Sequence, residues 1–465
     1  MNTSETNHCN LNKKYTSEYF DFINMAESSL SDRRAARNYM DHSSAIVHHQ
    51  HVASSFVPRL YSKATYETMK HAVETTHAIL CKVINEYLEN PHYRSIFNYD
   101  PRLVELILAP RDYDALLPFS RFDIFLNEDT MEFGFCEFNA DGSSGMNENR
   151  EITHSIENSW AYKKFAQAHH MQTCELFDSW VEEFLAIYST YSYKVENPHV
   201  CICDYLENAV IAEFKIFCEY FKKHGINASI CDVRDLEFYE NALHDSEGNI
   251  VHAIWRRSVT NDVIEHWDES QDLITAVKNS KVALIGSFAG HIVHDKQIFE
   301  ALYHPLTQEF LTTEEIEFIK KTVPETRFLD ADYVDLEDIR KHKDAWIIKP
   351  TDSYGASDVY AGCFVSQDRW EEIVDAYANS ASGHPFLVQK YITPYKTYTL
   401  PPDLNIENIP DSEVSTVPQL YNNLEGLYCY NGKFPGVFSR LGPYPTISKP
   451  LKGITSATLW VDCNL

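Results

Sequence analysis

The sequence predicts an α/β (α+β) fold of several lobes, and three observations support this prediction. Residues 1–115 carry apolar side chains at helical spacing. Residues 197–290 alternate short apolar runs with amphipathic segments, which is the rhythm of a small Rossmann-like unit. Residues 291–465 hold further strand and turn signals. The length of 465 residues is sufficient for about two to four lobes.

Composition indicates a globular protein and excludes several classes of partner. Hydrophobic residues make up 44% of the chain and aromatic residues 13%, which is enough for large cores. The net charge of −28 argues against long nucleic acids, because phosphate backbones are bound by extended basic surfaces. No apolar run approaches the ~20 residues that span a bilayer. The N-terminus lacks a signal-peptide core, so we expect no membrane partner and a cytoplasmic location.

The elements are expected in a definite order. The strongest helix signal covers residues 62–90, where Pro91 ends the apolar periodicity. Further helices are predicted at residues 148–189, 208–223, 295–302, 313–322 and 368–378. Strands are predicted at residues 200–204, 228–233, 251–255, 281–286, 345–350, 359–364 and 386–392. The Rossmann-like unit has no G-x-G-x-x-G motif, so we do not interpret it as a dinucleotide site.

A strand that runs into an Asp-Gly turn is the most informative segment. Glu137 and Asn139 are two residues apart, so both side chains point to one face. One anionic and one neutral oxygen ligand at a strand end suit a Mg²⁺ ion that carries nucleotide phosphates. Arg121 and Asp123 have the same spacing, and the polar turn at residues 127–130 predicts a hairpin that brings the four together. Acidic residues near a turn are also common as solvated surface.

Three cations are candidate phosphate ligands. Lys349 ends an apolar strand before Pro350, where it can reach a phosphate or simply extend to solvent. Lys296 opens a helix, and its spacing alone indicates no more than surface charge. Arg440 alternates with apolar residues near a strand end, which fits either an oxyanion contact or a structural ion pair.

Other potential metal ligands receive a plainer interpretation. The cysteines number eleven and form no C-x-x-C motif, so we interpret most of them as buried reduced thiols. Cys201 and Cys203 share one strand face but do not have zinc spacing. His48, His49 and His51 lie close together and are interpreted as polar surface rather than as a metal site.

The order of the motifs identifies a family. In chain order they are R-F-D, E-F-N-A-D, W-R-R, H-D-K, I-I-K-P, V-Q-K-Y-I and G-V-F-S-R. Over roughly residues 100–460 this order resembles the circularly permuted ATP-grasp ligases related to the synthetase domain of glutathionylspermidine synthase. The E-x-N magnesium motif comes late in ordinary ATP-grasp enzymes and early here, which marks the permuted branch.

The resemblance implies a division of the chain and an activity. Its units are a helical N-terminal region (1–115), a segment with the magnesium motif (116–196), a Rossmann-like pre-ATP-grasp subdomain (197–290) and the nucleotide-binding lobes (291–465). It implies an ATP- and Mg²⁺-dependent ligase that releases ADP and joins a small-molecule or peptide carboxylate to an amine through an acylphosphate. A homodimer is expected, and the acidic composition is consistent with a basic amine.

The resemblance also assigns roles to residues. The implied magnesium ligands are Asp123, Glu137 and Asn139. The implied phosphate contacts are Arg121, Lys296, Lys349 and Arg440. The segment beside the adenine is Gln389, Lys390 and Tyr391, the loop over the phosphates contains Gly355, and Ser144 contacts the acceptor carboxylate.

Two departures from the family affect the expected activity. In the phosphate loop Gly355 is followed by Ala356, Ser357 and Asp358, so an acid replaces the basic residue of relatives, and an acid repels triphosphate. A catalytically weak ATP-binding or regulatory protein is therefore an alternative to the ligase, and a scaffold that binds no ATP is a third interpretation. The first hundred residues are too short and too helical for the amidase domain of glutathionylspermidine synthase, so no hydrolytic activity is expected.

Overall fold

Sheets and helices alternate along the chain and form the mixed α/β architecture that the sequence predicts. The computed structural model describes residues 3–47, 49–207, 209–352, 357–378 and 385–463. The α-helices are Thr3–Met25, Ser29–His42, Lys63–Glu89, Pro91–Arg94, Pro101–Ile107, Met146–Ile156, Trp160–Ala168, Asp178–Thr190, Ile211–Lys223, Thr260–Glu265, Gln271–Lys278, His291–His294, Gln297–Ala301, Pro305–Gln308, Thr313–Thr322, Leu336–Lys341 and Gln367–Tyr377. In the described part of the chain, no helix combines the length and apolar character needed to cross a membrane.

The central sheet is antiparallel and carries the predicted hairpin. Its strands, in spatial order, are Ile454–Ser456, Val437–Gly442, Gln419–Tyr430, Phe119–Leu126 and Phe133–Asn139, with Lys396–Thr399 paired to the start of Gln419–Tyr430. Arg121 pairs with Asn139 and Asp123 pairs with Glu137, so the predicted hairpin is confirmed. The apolar residues that alternate with these polar ones, such as Phe122, pack into the largest core.

A second antiparallel sheet, here called the lysine sheet, faces the first across a cleft. Its strands, in spatial order, are Thr326–Phe328, Phe386–Lys390, Trp346–Pro350 and Tyr360–Ala361. It has its own core, in which Ile348 and Val388 pack against Trp370 of the helix Gln367–Tyr377. The strand predicted at residues 359–364 is only Tyr360–Ala361, because a 3₁₀ turn at Gly362–Phe364 replaces its second half.

The predicted Rossmann-like rhythm corresponds to a parallel sheet. Its strands, in spatial order, are Ala283–Ile285, Ala253–Arg256, His199–Asp204 and Asn227–Asp232. All three pairings are parallel, as crossover helices require. The strand Asn227–Asp232 lies at one edge. The lobe boundaries drawn from the sequence stay predictions.

The sequence interpretation differs from the structure where pairing is long-range. The expected helix at residues 148–189 is three helices, Met146–Ile156, Trp160–Ala168 and Asp178–Thr190. The strand Met171–Thr173 lies between the last two and pairs with Thr458–Val461, which also pairs with Arg59–Tyr61. The N-terminal region is therefore not purely helical, since it contributes a strand whose partner lies at the other end of the sequence. Short hairpins at Ile46–Val47 with Gln50–His51 and at Glu237–Tyr239 with Ala242–His244 complete the strands.

Candidate active site

A cleft between the central sheet and the lysine sheet collects most of the predicted site residues. The cavity has a volume of about 570 Å³. The predicted residues that line it are Glu137, Lys296, Lys349, Gln389, Lys390, Tyr391 and Arg440. They come from segments far apart in the sequence, and apolar residues such as Ile347 and Leu424 complete the walls. An apolar cavity with a few converging polar groups is the usual form of a ligand site.

A larger opening of about 840 Å³ adjoins this cavity near the hairpin turn. It shares Lys390 and Ile392 with the smaller cavity, but its walls include neither Glu137 nor Lys349. The charged groups that suit chemistry lie in the smaller cavity, which we take as the candidate active site.

Glu137 and Lys296 form an ion pair on the floor of the site. Lys296 Nζ lies 3.1 Å from Glu137 Oε1. Lys296 stands between two short helices, and its backbone N–H donates to the Thr351 oxygen at 2.8 Å, which fixes it beside the lysine sheet. Burial is the largest single influence and raises the pKa of Glu137, but the charge and hydrogen bond of Lys296, together with the charges of His294 and Lys349, lower it to about 2. The carboxylate is therefore ionised at neutral pH.

Lys349 presents a buried positive charge from the opposite wall. It lies near the end of the strand Trp346–Pro350 and is 4% exposed. Its Nζ donates to the Cys136 oxygen at 3.1 Å and to Gln389 Oε1 at 2.8 Å. Burial, and then repulsion from Lys296, lower the pKa of Lys349 to about 8. Among the described residues, no carboxylate lies within ion-pair distance of this ammonium group.

The two predicted arginines hold Asp123 between them. Arg121 Nε donates to Asp123 Oδ1 at 2.8 Å, and Arg440 Nη2 donates to Oδ2. Asp123 is 1% exposed and does not line the cavity, whereas Arg440 does. Gly426 on the adjacent strand makes room for the pair, since a Cβ there would lie 2.8 Å from Arg121 Nε. In this arrangement Asp123 orients the arginines.

Asn139 and Ser144 lie beyond the end of the hairpin. Asn139 Nδ2 is buried and has no hydrogen-bond partner within the described residues. The Ser144 backbone oxygen accepts from Arg121 Nη1 at 2.9 Å and from the Tyr428 hydroxyl at 3.0 Å. Gly145 follows with φ of +110°, and a Cβ there would meet the same hydroxyl at 2.9 Å. The loop is therefore fixed against the arginine pair, and neither Asn139 nor Ser144 lines the cavity.

The segment predicted beside the adenine is anchored to the lysine sheet. Gln389 Nε2 donates to Thr326 Oγ1 at 2.7 Å, so its amide connects Lys349 to the neighbouring strand. Lys390 Nζ lies 3.6 Å from the centre of the Trp346 ring. The Tyr391 backbone N–H donates to the Ala345 oxygen at 2.8 Å.

Several predicted positions lie outside the described residues. Gly355 and Ala356 are among them, and so is His48. Asp358, the acid that follows Gly355 in the loop, is described: it accepts a hydrogen bond from the Tyr360 hydroxyl at 3.0 Å. His51 adds nothing to the site, and within the described residues it belongs to no group of three potential metal ligands.

A second charged cluster behind Lys296 was not predicted from the sequence. His291 Nε2 lies 3.9 Å from Asp295 Oδ2 and 3.8 Å from Asp352 Oδ2. Burial is the main reason that the pKa of Asp295 is raised to about 6. His291 lowers this pKa, and Asp352 raises it further. Asp141, predicted only as part of the substrate loop, lies 3.7 Å from His291 Nδ1 and also pairs with Arg256. The H-x-x-H-D spacing, which puts all three side chains on one helical face, is the signal that could have revealed it.

Comparisons with known proteins address the fold. No family model and no curated protein matches the chain. Among solved structures it is similar to a glutathione synthetase-like effector from Globodera pallida in its apo form, with a TM-score of 0.61 and 10% identity over 92% of this chain and 96% of that one. It is also similar to a candidate gamma-glutamylcysteine synthetase from Methylobacillus flagellatus KT, with a TM-score of 0.42 and 11% identity over 81% and 84% of the two chains, a likeness too low to support an argument. The first likeness is one of fold, and it is compatible with the ATP-grasp-like fold that the sequence predicts.

Proposed function

We propose that this chain is an ATP-dependent, ADP-forming carboxylate–amine ligase on a circularly permuted ATP-grasp fold, similar to the synthetase domain of glutathionylspermidine synthase. One observation carries the proposal: residues predicted from separate motifs converge on one cavity between two sheets. Its polar groups are the buried lysines, a carboxylate and an arginine that phosphoryl transfer requires. In this proposal residues 197–290 form the pre-ATP-grasp subdomain.

The lysines are assigned to the phosphates of ATP. Lys349 is a buried cation held by neutral oxygens, so an anion in the cavity would relieve the cost of burying it. Lys296 lies across from it with Glu137 as its present partner. Bound ATP supplies the phosphoryl group that activates the carboxylate substrate.

The residues at the hairpin end fit a magnesium ion. Glu137 is ionised, and the side-chain amide of Asn139 carries an oxygen, so the two residues have oxygen atoms of the kind Mg²⁺ takes. Asp123 lies behind them, whereas Asp352, whose Oδ1 has no hydrogen-bond partner within the described residues, belongs to the cluster around His291. A bound Mg²⁺ would neutralise charge on the phosphates.

The arginine pair is assigned to the reacting carboxylate. Arg440 lines the cavity, and its Nε has no acceptor within the described residues, so it has a donor left for a substrate oxygen. Arg121 contacts both Asp123 and the loop at Ser144, so it couples that loop to the site. In this proposal the two guanidinium groups stabilise the negative charge of an acylphosphate.

The alternative is a weakly active ATP-binding or regulatory protein. One observation favours it: Glu137 already neutralises Lys296, and Asp123 already engages both arginines. The family resemblance adds a sequence argument, because Asp358 is an acid in the loop where relatives carry a base. Binding without turnover would fit this second function.

An assay of ADP release with mass analysis of the product tests the proposal. The protein is incubated with Mg²⁺-ATP and panels of carboxylates and amines, and we expect ADP only when both substrates are present, with a product of their summed mass less one water. Arg440→Met should lose this release, while Arg369→Met, an exposed arginine of the lysine-sheet lobe, should keep it. Release with water alone would indicate hydrolysis, and ATP binding without release would favour the regulatory function.

A further inference from the structure

A cluster of three thiols lies inside the parallel sheet, away from the candidate active site. Cys201, Cys203 and Cys231 are buried, and their sulfur atoms all lie within 4.8 Å of one another. The Cys201 and Cys231 sulfurs are 2.8 Å apart. Cys201 and Cys203 alone do not have zinc spacing in the sequence, and the third thiol comes from the neighbouring strand Asn227–Asp232.

Strand register creates the cluster. Cys203 pairs with Cys231, and Cys201 pairs with Ser229, so all three thiols project from one face of the strands His199–Asp204 and Asn227–Asp232. Cys201 and Cys231 are diagonal neighbours, and strand dimensions put their Cα atoms roughly 8 Å apart. That separation exceeds the reach of about 7 Å for a disulfide without backbone movement, and all three cysteines are reduced. The closest pair of thiols is therefore poorly placed for a crosslink.

A polar group adjoins the thiols on the side that faces solvent. His199, whose side chain is 18% exposed, lies 3.0 Å from Asp245 and 2.9 Å from Ser229 Oγ through its Nε2 atom. Ser229 Oγ in turn lies 3.2 Å from the Cys201 sulfur. His199, Cys201 and Asp245 form a second group of potential ligands that shares Cys201 with the first. His199 thus lies beside Cys201 as a candidate fourth ligand, and its partial exposure connects it to the surface.

We propose that Cys201, Cys203 and Cys231 bind a Zn²⁺ ion, with His199 on the open side as the fourth ligand. Three thiolates and one imidazole are an established zinc set, with Zn–S distances of about 2.3 Å. Tetrahedral sulfurs at that distance lie roughly 3.8 Å apart, so Cys201 and Cys231 separate by about 1 Å on binding. A divalent ion leaves less net charge in the core than a monovalent one, which favours Zn²⁺ over Cu⁺.

Sheet position is a further feature that supports the site. The ion would join the edge strand Asn227–Asp232 to its neighbour, which stabilises the end of the parallel sheet. Zinc binding should therefore raise the melting temperature of the full chain.

Metal titration of the reduced, chelator-treated full chain tests the inference. We expect one equivalent of Zn²⁺ to bind and raise the melting temperature, and Cd²⁺, a probe for thiolate sites, to produce a sulfur-to-metal charge-transfer band. Cys231→Ser should lose both effects. Cys429→Ser is the matched control, since that thiol is also buried but belongs to no such group within the described residues, and it should keep both.

Three results would overturn the zinc site. The first is a parent protein that shows neither the band nor the shift, and the second is equal binding by Cys231→Ser and Cys429→Ser. The third is a disulfide between Cys201 and Cys231 in the unreduced parent. If Cys231→Ser does not fold, Cys203→Ser replaces it in both measurements. The intensity of the charge-transfer band of the parent also gives the number of thiolates bound per Cd²⁺ ion. Three are expected, and one or none would contradict the site.

Discussion

The two walls of the candidate active site differ in how their charges are balanced. On the central-sheet wall, Asp123 is held between Arg121 and Arg440, and Glu137 faces Lys296. On the lysine-sheet wall, Lys349 has only neutral oxygens within hydrogen-bond distance among the described residues. The charged side chains of the first wall are already paired with one another when no ligand is bound, whereas the second wall holds the buried cation of Lys349. In the proposed ligase, the lysine sheet would therefore attract the anionic ligand and the central sheet would position it.

Removing the carboxylate that pairs with both arginines on the central-sheet wall should have the largest effect on folding stability. Asp123→Ala leaves two guanidinium groups without their shared carboxylate, and breaking a buried ion pair in this way costs about 3–5 kcal/mol. The control is Asp344→Ala, which removes an exposed partner of Lys343 and should cost less than ~1 kcal/mol. Urea unfolding of both variants measures the difference, and equal losses would show that the arginine pair is not structurally important.

The unbalanced charge on the lysine-sheet wall should appear as a pH dependence. The pKa of Lys349 falls to about 8 from 10.5, so between those pH values the unfolded chain binds more protons than the folded one. Folding stability from this group therefore rises as the pH increases from about 8 to 10.5, by about 3 kcal/mol. Urea unfolding at pH 7.5 and pH 10.5 measures the free energy of unfolding. Between these two pH values it should rise less, or fall more, in Lys349→Met than in the parent. Parallel profiles for the two proteins would contradict the buried charge.

A smaller effect should follow from closing the space beside the arginines. A Cβ on Gly426 would lie 2.8 Å from Arg121 Nε and 2.9 Å from Asp123 Oδ1, so Gly426→Ala must displace the pair at a cost of about 1–3 kcal/mol. At Gly442 the nearest atom is 3.3 Å away, on the flexible side chain of Ile447, so Gly442→Ala should cost less. The melting temperatures of the two variants are compared, and Gly426→Ala should have the lower one. A lower melting temperature for Gly442→Ala would contradict the argument that Gly426 makes room for the arginines.

Local patterns were sufficient for part of the site. The alternation around Glu137 and the polar turn predict the hairpin, and the paired register confirms it. The apolar run before Lys349 correctly predicts a strand, and the fold brings Lys349 to the cavity. Each inference used residues a few positions apart, where periodicity determines which side of the chain is buried.

Long-range contacts account for what the sequence did not reveal. Asp123 and Arg440 are 317 residues apart in sequence, so only the folded sheet shows that they neutralise each other. The same holds for the third thiol, Cys231, and for the pairing of Arg59–Tyr61 with Thr458–Val461. Such partners are set by tertiary packing, which local propensity does not encode.

Nucleotide binding by the buried lysine tests the central claim most directly. Melting temperatures are measured with and without millimolar Mg²⁺-ATP for the parent, for Lys349→Met and for Lys341→Met, an exposed lysine of the same lobe. A nucleotide present at 100 times its Kd stabilises by about 2.7 kcal/mol, so we expect a clear rise for the parent and for Lys341→Met. Lys349→Met should show no rise. A parent protein that does not respond, or a Lys349→Met variant that responds like the parent, would contradict the assignment of this cavity as the ATP site.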